Sequence, residues 1–451
     1  MKKYSLESIL LVVLMMTGTK VSAYDIEATN SDGVTIYYNW NKNKTELTVT
    51  YTGRMSYDPN EYSGNIVIPE SVEYNETIYP VTSIGYSAFS SCNNLTGVTI
   101  PNSVTNINAL AFSNCYRLVS VTIPNSVTSI GEAAFYNSGL TSLTIPNNVK
   151  TLSSSMLWGC RDLVSVVVES GNQYYDSRDN CNAIIETSSN KLICGCKNTM
   201  IPNNVTSIES DAFRYNSGLT SLTIPSSVTS IGDCAFFGCY NLTSIIVEKD
   251  NQYYDSRDNC NAIIETSSNK LITGCNNTII PNSVTSLGYG AFYSCWGFTS
   301  MSIPNGIVSI GESAFTYCSL TTVYIPESVT SIGRSPFWGC SLAFLTVNIQ
   351  EPLEITDQTF YQVDNIILYV PKGCVEAYRN AEYWKDFKDI IEIVEGDVNG
   401  DGKLTSDDLN ALVIYILGQQ TGIDPLKADI NGDRKVDATD IVQLIKLLNK
   451  E

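Results

Sequence analysis

The chain has 451 residues, more than one ordinary domain needs and ample for a large core. It contains no histidine, which excludes Ser-His-Asp and Cys-His catalytic pairs, His-ligated zinc and imidazole pH switching. With 46 acidic against 27 basic residues the net charge is -19, which disfavours nucleic acid and anionic membrane surfaces as partners.

Residues 1–23 read as a secretory signal peptide: a basic start at Lys2 and Lys3, an unbroken apolar run from Ile9 to Met16, and Val21-Ser22-Ala23 as the cleavage site. The other reading, a membrane anchor, meets an apolar core too short to span a bilayer. No cysteine lies near the cleavage site to take a lipid anchor, and no later apolar run approaches a membrane span. The expectation is a secreted or cell-surface protein. Residues 24–80 then alternate as strands do, in Val34-Thr35-Ile36-Tyr37-Tyr38 and Leu47-Thr48-Val49-Thr50-Tyr51, and form an N-terminal β cap.

The body, 81–345, is a repeat. Ile-Pro recurs with proline at 69, 101, 124, 146, 202, 225, 281, 304 and 326. Phenylalanine keeps the same beat at 89, 112, 135, 213, 236, 292, 315, 337 and 360, with Leu157 in the empty slot. A fixed period in the twenties means a solenoid, whose coils bury apolar faces only against their neighbours. In the coil from Leu118 to Phe135, Val121-Thr122-Ile123 predicts one strand, which Pro124 ends. Val127 to Ile130 predicts a second, and Glu132 to Phe135 a single helical turn with its Phe inward. The fold class expected is thus β-rich, short strands plus a short helical turn per coil.

Two steps of 56 residues carry an insert. Asn172 to Ile193 and Asn251 to Ile272 share one 22-residue string, NQYYDSRDNCNAIIETSSNKLI, in which AIIE and KLI read as a hairpin within a larger coil. Residues 346–395 form a C-terminal cap: Ile366 to Pro371 echoes a repeat, and Val375 to Phe387 has helical spacing with Ala377, Tyr378, Ala381 and Trp384 inward. The beat IPxSVTSIGxxAFxxCxxLTSV, together with the YYDSRDNCNAIIET insert, resembles the BspA-like class of bacterial leucine-rich repeats over about residues 65–395. That resemblance implies secretion or surface display and adhesion to a host or bacterial surface glycoprotein.

Seven of the 14 cysteines (92, 115, 160, 239, 295, 318 and 340) sit three residues after the Phe column. They read as a ladder of buried small side chains. Disulfides between coils, a metal site, or a bridge within each insert (Cys181 with Cys196, Cys260 with Cys275) are the alternatives. Tyr174, Tyr175, Tyr253, Tyr254 and Tyr289 are candidate exposed rings for stacking on sugars or protein side chains.

From 396 to 451 the texture changes. Asp397, Asn399, Asp401, Lys403, Thr405 and Asp408 occupy positions 1, 3, 5, 7, 9 and 12 of a calcium loop, and Asp429, Asn431, Asp433, Lys435, Asp437 and Asp440 those of a second. Position 7 contributes its carbonyl, so each loop offers only oxygens, as a hard cation requires. Each loop opens a helical pattern. Leu404 and Val436, at position 8, would pair the loops by a short strand contact. Arg434 stands where the first loop has Gly402, which marks the second loop as the weaker site. Two loop-helix units with Asp at position 12 and no entering helix resemble a type I dockerin. The resemblance implies two calcium ions and a cohesin-like protein partner, recognised through Ser406 and Asp407 in one unit and Ala438 and Thr439 in the other.

The leading functional reading is a non-catalytic binding or adhesion solenoid with a small all-α, calcium-dependent docking module, and no catalytic residue is assigned. Two alternatives stay open. One is a dockerin-bearing component of a polysaccharide-degrading assembly, including a glycoside hydrolase built on paired carboxylates. The other is a purely structural display scaffold.

Overall fold

The computed structural model describes residues 24–52, 62–419, 423–432 and 435–450. The signal-peptide assignment (1–23) and two residues of the second candidate calcium loop, Asp433 and Arg434, lie outside the described residues. The chain divides into two compact units, up to Gly218 and from Leu219.

The first unit starts with an antiparallel meander of Ile26–Thr29, Thr35–Trp40 and Leu47–Thr50. The last of these pairs in parallel with Thr77–Ile84. From there a parallel ladder runs through Asn106–Ile107, Ser129–Ile130 and Thr151–Leu152, each strand one repeat after the last. A second ladder joins Gly64–Val67 to Leu95–Thr99, and further along Ser142–Ile145 to Ser165–Val168. Pro69, Pro101 and Pro146 stop three of these four strands because proline has no N–H to donate, while Ser165–Val168 runs into Glu169 at the start of the insert.

The insert folds as its composition predicts: Ala183–Glu186 and Lys191–Gly195 pair antiparallel, with Tyr175–Asp176 on the outer edge. Lys191–Gly195 then pairs in parallel with Ser207–Ile208, so the insert rejoins the ladder in register. Asn172 fastens its start. Its amide donates to the carbonyls of Pro146 (2.9 Å) and Val149 (3.0 Å), and its Oδ1 accepts from the N–H of Tyr174 (2.8 Å) and Tyr175 (2.9 Å).

The second unit repeats this plan. Asn251 makes the same four bonds, and the hairpin Ala262–Glu265 with Lys270–Gly274 leads into Ser286–Leu287, Ser309–Ile310 and Ser331–Ile332. The other face carries Ser300–Ser302, Thr322–Ile325, Phe344–Val347, Ile367–Val370 and Asp389–Glu392, all parallel.

The interior is a stack of columns. Phe292, Phe315, Phe337 and Phe360 lie 5.1–5.4 Å apart with planes within 4° of parallel, and Phe89, Phe112 and Phe135 stack alike in the first unit. The cysteine column lies beside them and is buried. Cys115, Cys160, Cys318 and Cys340 donate their thiols to the Phe-column carbonyl of the preceding coil, at 3.0–3.1 Å for Phe89, Phe135, Phe292 and Phe315. The insert residues Cys181, Cys196, Cys260 and Cys275 are thiols and not bridged pairs.

Three expectations change. Glu132 to Phe135 is not helical. Two residues before and two after the column Phe the backbone turns left-handed, as at Leu110 and Asn114 (φ 60° and 58°) or Ala133 and Asn137 (φ 50° and 56°), and at Phe360 only after it, at Gln362 (φ 51°). This alternation directs N–H groups along the stack, where Phe89 bonds to Ala111, Phe112 to Ala134, Phe292 to Ala314 and Phe315 to Pro336. The expected helix from Val375 to Phe387 is broken. Val375–Asn380 is helical, Tyr383 is left-handed (φ 64°), and Trp384–Asp386 resumes as a short 3-10 turn. The break lets the Trp384 indole reach the carbonyl of Leu353 at 2.8 Å. Finally, only some of the candidate tyrosines are exposed. Tyr174, Tyr253 and Tyr289 face solvent, whereas Tyr175 and Tyr254 are buried against the preceding coil, where Tyr254 accepts from the N–H of Ile231 at 3.0 Å.

Candidate functional site

The chemistry gathers in the tail. Three helices form there: Ser406–Ile416, Pro425–Ala428 and Ala438–Leu448. The two long ones bury Ala411, Leu412, Leu444 and Leu447 in a common core with Val398, Ile423 and Ala428. Leu404 and Val436 pack at its margin, but no strand bridge joins them among the described residues, contrary to the expected loop pairing.

Both long helices begin in a capping box. Asp408 Oδ2 accepts from the N–H of the N-cap Thr405 (2.8 Å), and Asp440 Oδ2 from that of Asp437 (2.9 Å). Their second oxygens accept from the N–H of Asn399 and Asn431, both at 3.1 Å. The aspartate at position 12 is thus the N3 residue that closes each box. Asp437 is held below the usual carboxylate range by the N–H and hydroxyl of Thr439.

Asp397 is the anchor of the first loop and is fully buried. Its Oδ1 accepts from Gly400 (2.8 Å) and Asp401 (3.0 Å), and its Oδ2 from Gly402 (3.1 Å). Gly400 and Gly402 have φ of 78° and 82°, the left-handed backbone this wrapping needs. Asn399 Oδ1 accepts from Asp401, and Asp401 Oδ1 from Lys403, each at 2.9 Å. Asn399, Asp401 and Lys403 face solvent, and Thr405 is half-buried. In the second loop Asn431 and Lys435 face solvent, while Asp429 and the helix-capping Asp437 are half-buried.

Among the described residues no three carboxylates or thiols converge as a cation cluster, because the loop carboxylates face backbone N–H groups. The donor set of the first loop nevertheless fits a hard cation. It offers only oxygens, and Asp397 already carries a cation, the Lys427 ammonium at 3.2 Å. Ser406, Asp407, Ala438 and Thr439 all lie exposed on the first turns of the two long helices. Thr439 is held in place, since its hydroxyl donates to Asp437 and accepts from the Asn431 amide, both at 2.7 Å.

Sequence reasoning passed over the short helix between the loops. Asp424 caps it, accepting from Leu426 at 2.9 Å, and also accepts from the hydroxyl of Thr322 at 2.7 Å. Both residues are buried, and burial pushes the Asp424 carboxyl above its usual range. Lys427 Nζ lies 3.3 Å from the centre of the Tyr369 ring, and burial pulls its ammonium down. Asp-Pro at 424–425 is a helix-start signal that marks this element, but nothing local points to Thr322 or Tyr369.

Residues 63–185, 183–273 and 263–381 match the BspA type leucine rich repeat region, in 6 copies. Residues 395–449 match the dockerin type I domain. No curated protein matches the chain. Among solved structures, the chain is similar to a leucine rich cell surface protein from Faecalibacterium prausnitzii A2-165 (24% identity, 88% of this chain and 99% of that one, TM-score 0.44). It is also similar to the pneumococcal vaccine antigen PcpA (15% identity, 82% and 100%, TM-score 0.44) and to a leucine-rich repeat protein from Bacteroides ovatus ATCC 8483 (24% identity, 75% and 98%, TM-score 0.35). Among the described residues no helix is long and apolar enough to cross a membrane. The repeat match spans well over half of the residues, with the same beat that stacks the phenylalanine column, so the chain belongs to the BspA-type leucine-rich repeat family and carries a type I dockerin domain at its C-terminal end.

Proposed function

We propose that the protein is secreted or surface-displayed and non-catalytic, that its solenoid binds a surface glycoprotein, and that its tail binds two calcium ions and docks a cohesin-like module. The observation that carries the docking reading is the pair of capped loop-helix units. Each buries its position-12 aspartate and exposes the two residues that follow the N-cap region, Ser406 with Asp407 and Ala438 with Thr439. The two exposed pairs differ in chemistry, so the two units present different surfaces to one partner. The oxygen-only donors of the loops support calcium as the ion. Within a polysaccharide-degrading assembly the chain would serve as a docked binding component.

The test is capture of purified cohesin modules by the full chain, with calcium and with chelator. Calcium-dependent capture that is lost on Asp407→Ala supports the reading. Equal capture in chelator removes the calcium dependence, and no capture by any cohesin removes the proposed partner. Turnover of a polysaccharide, abolished by one Asp or Glu substitution, would overturn the non-catalytic reading.

A further inference from the structure

Lys427 carries a largely buried ammonium that the docking reading leaves without a task. Its side chain is 11% exposed and that of Asp397 is 0% exposed, with 3.2 Å between Nζ and Oδ2. The Tyr369 ring, itself buried in the strand Ile367–Val370, closes over the ammonium at 3.3 Å. Tyr369 belongs to the repeat body and Asp397 to the first calcium loop, so one side chain joins the two. Beside it, Thr322 and Asp424 make a second buried link across 102 residues of sequence. The other oxygen of Asp424, Oδ2, has no partner among the described residues. The calcium loop also approaches the ring directly, since a Cβ at Gly400 would lie 2.7 Å from the Tyr369 hydroxyl.

We propose that Lys427 is a tethered cation that competes with calcium for Asp397, so that calcium in the first loop and seating of the short helix on the repeat strands oppose each other. This rests on the calcium reading of the first loop. Both Asp397 oxygens are engaged, and Lys427 is the only one of their four partners that carries a charge. A divalent ion ligated by Asp397 shares one buried carboxylate with the ammonium, and like charges at that range in a desolvated site repel strongly. The backbone N–H partners belong to the loop itself, so the ammonium is the partner that leaves. Its departure removes the cation–π contact with Tyr369 and leaves Asp424–Thr322 as the remaining buried polar link. By linkage, calcium weakens the seating by the same factor by which seating weakens calcium binding, so a variant that loosens the seating gains calcium affinity.

The test uses the full chain, stripped of metal and titrated with calcium chloride by calorimetry, as wild type, Lys427→Gln and Thr322→Val. Both substitutions lie outside the loops, and Thr322 is in the repeat body. The expected result is a gain in first-loop calcium affinity of tenfold or more for K427Q, on the order of the coupling such linkage provides, and a smaller gain in the same direction for T322V. In the wild type, calcium should speed amide exchange at Leu426–Ala428 and at Thr322–Ile325. Unchanged or weaker calcium binding in K427Q, or slower exchange at those amides on adding calcium, overturns the competition while leaving the calcium loop intact. If wild type and both variants bind no calcium, the calcium reading itself fails, and the competition with it. T322V keeps the question open to test if K427Q does not fold.

Discussion

The phenylalanine column carries a backbone demand that its sequence conceals. Among the described residues the positions two before and two after the column Phe are left-handed, except before Phe360, yet only three of them hold glycine (Gly238, Gly290 and Gly339). The rest use Ser, Asn, Asp, Tyr, Cys, Gln, and even Leu110 and Ala133. A left-handed side-chain-bearing residue costs about 1–2 kcal/mol, and the inter-coil N–H bonds it enables offset that cost. Ala133→Gly should therefore raise stability by about 0.5–1 kcal/mol, the strain relieved less the extra entropy of glycine. Ala134→Gly, next to it and buried without left-handed backbone, should lower stability by about the same amount. Urea denaturation of the two variants measures both, and a loss for A133G as large as for A134G would remove the strain argument. The same column shows why a helical turn was expected here. Apolar spacing alone does not distinguish a helical turn from alternating right- and left-handed residues, and the small polar residues that mark the left-handed sites are also ordinary helix-start residues.

At the scale of the element, the insert is the clearest case of sequence dictating structure twice. Two identical strings fold into two matching hairpins, each with a register shift at the same Ile-Ile step. The hairpin was legible from AIIE, KLI and the polar turn between them. The role of the first residue was not, because Asn172 and Asn251 act through carbonyls a full repeat earlier in the chain. Each is a buried amide with all four of its hydrogen-bonding positions filled. Asn251→Ala leaves two carbonyls and two N–H groups without it and should cost about 3–4 kcal/mol. Asn251→Asp should cost at least as much, because a carboxylate cannot donate to the carbonyls of Pro225 and Val228. Denaturant midpoints of the two variants are the measurement, and a cost below about 1 kcal/mol would mean that solvent replaces the amide. The same limit applies in the tail. The candidate loop residues and the long helices are readable from local spacing, whereas Lys427, Tyr369 and Thr322 meet only through the fold.

For the molecule as a whole, the absence of histidine moves the pH response to the alkaline side. Twelve of the 14 thiols are buried, seven of them in the column, and burial pushes ten of the twelve up. Cys160, Cys181 and Cys260 rise from 9.0 to about 11 and Cys340 to about 12, mainly by desolvation. Cys318 rises well above its ordinary value for the same reason, reinforced by Cys295 and Cys340. A thiol whose folded value is raised binds its proton more tightly in the native chain than in the unfolded one. Its contribution is thus complete below pH 9 and is lost as pH climbs through the folded value. A thiol moved from 9.0 to about 11 accounts for about 2–3 kcal/mol of stability, lost across that window. Because each coil leans only on its neighbours, losses in several coils act on a shared stack. The urea midpoint should therefore be level from pH 7 to 8.5 and fall steeply between pH 9 and about 11. At pH 8 iodoacetamide should modify the half-buried Cys374 while Cys115, Cys160, Cys318 and Cys340 stay unmodified until the chain unfolds. A midpoint that holds to pH 11, or early labelling of those four, would show that the thiols do not occupy the desolvated column. The thiol-to-carbonyl bonds between coils would then have to be discarded with it.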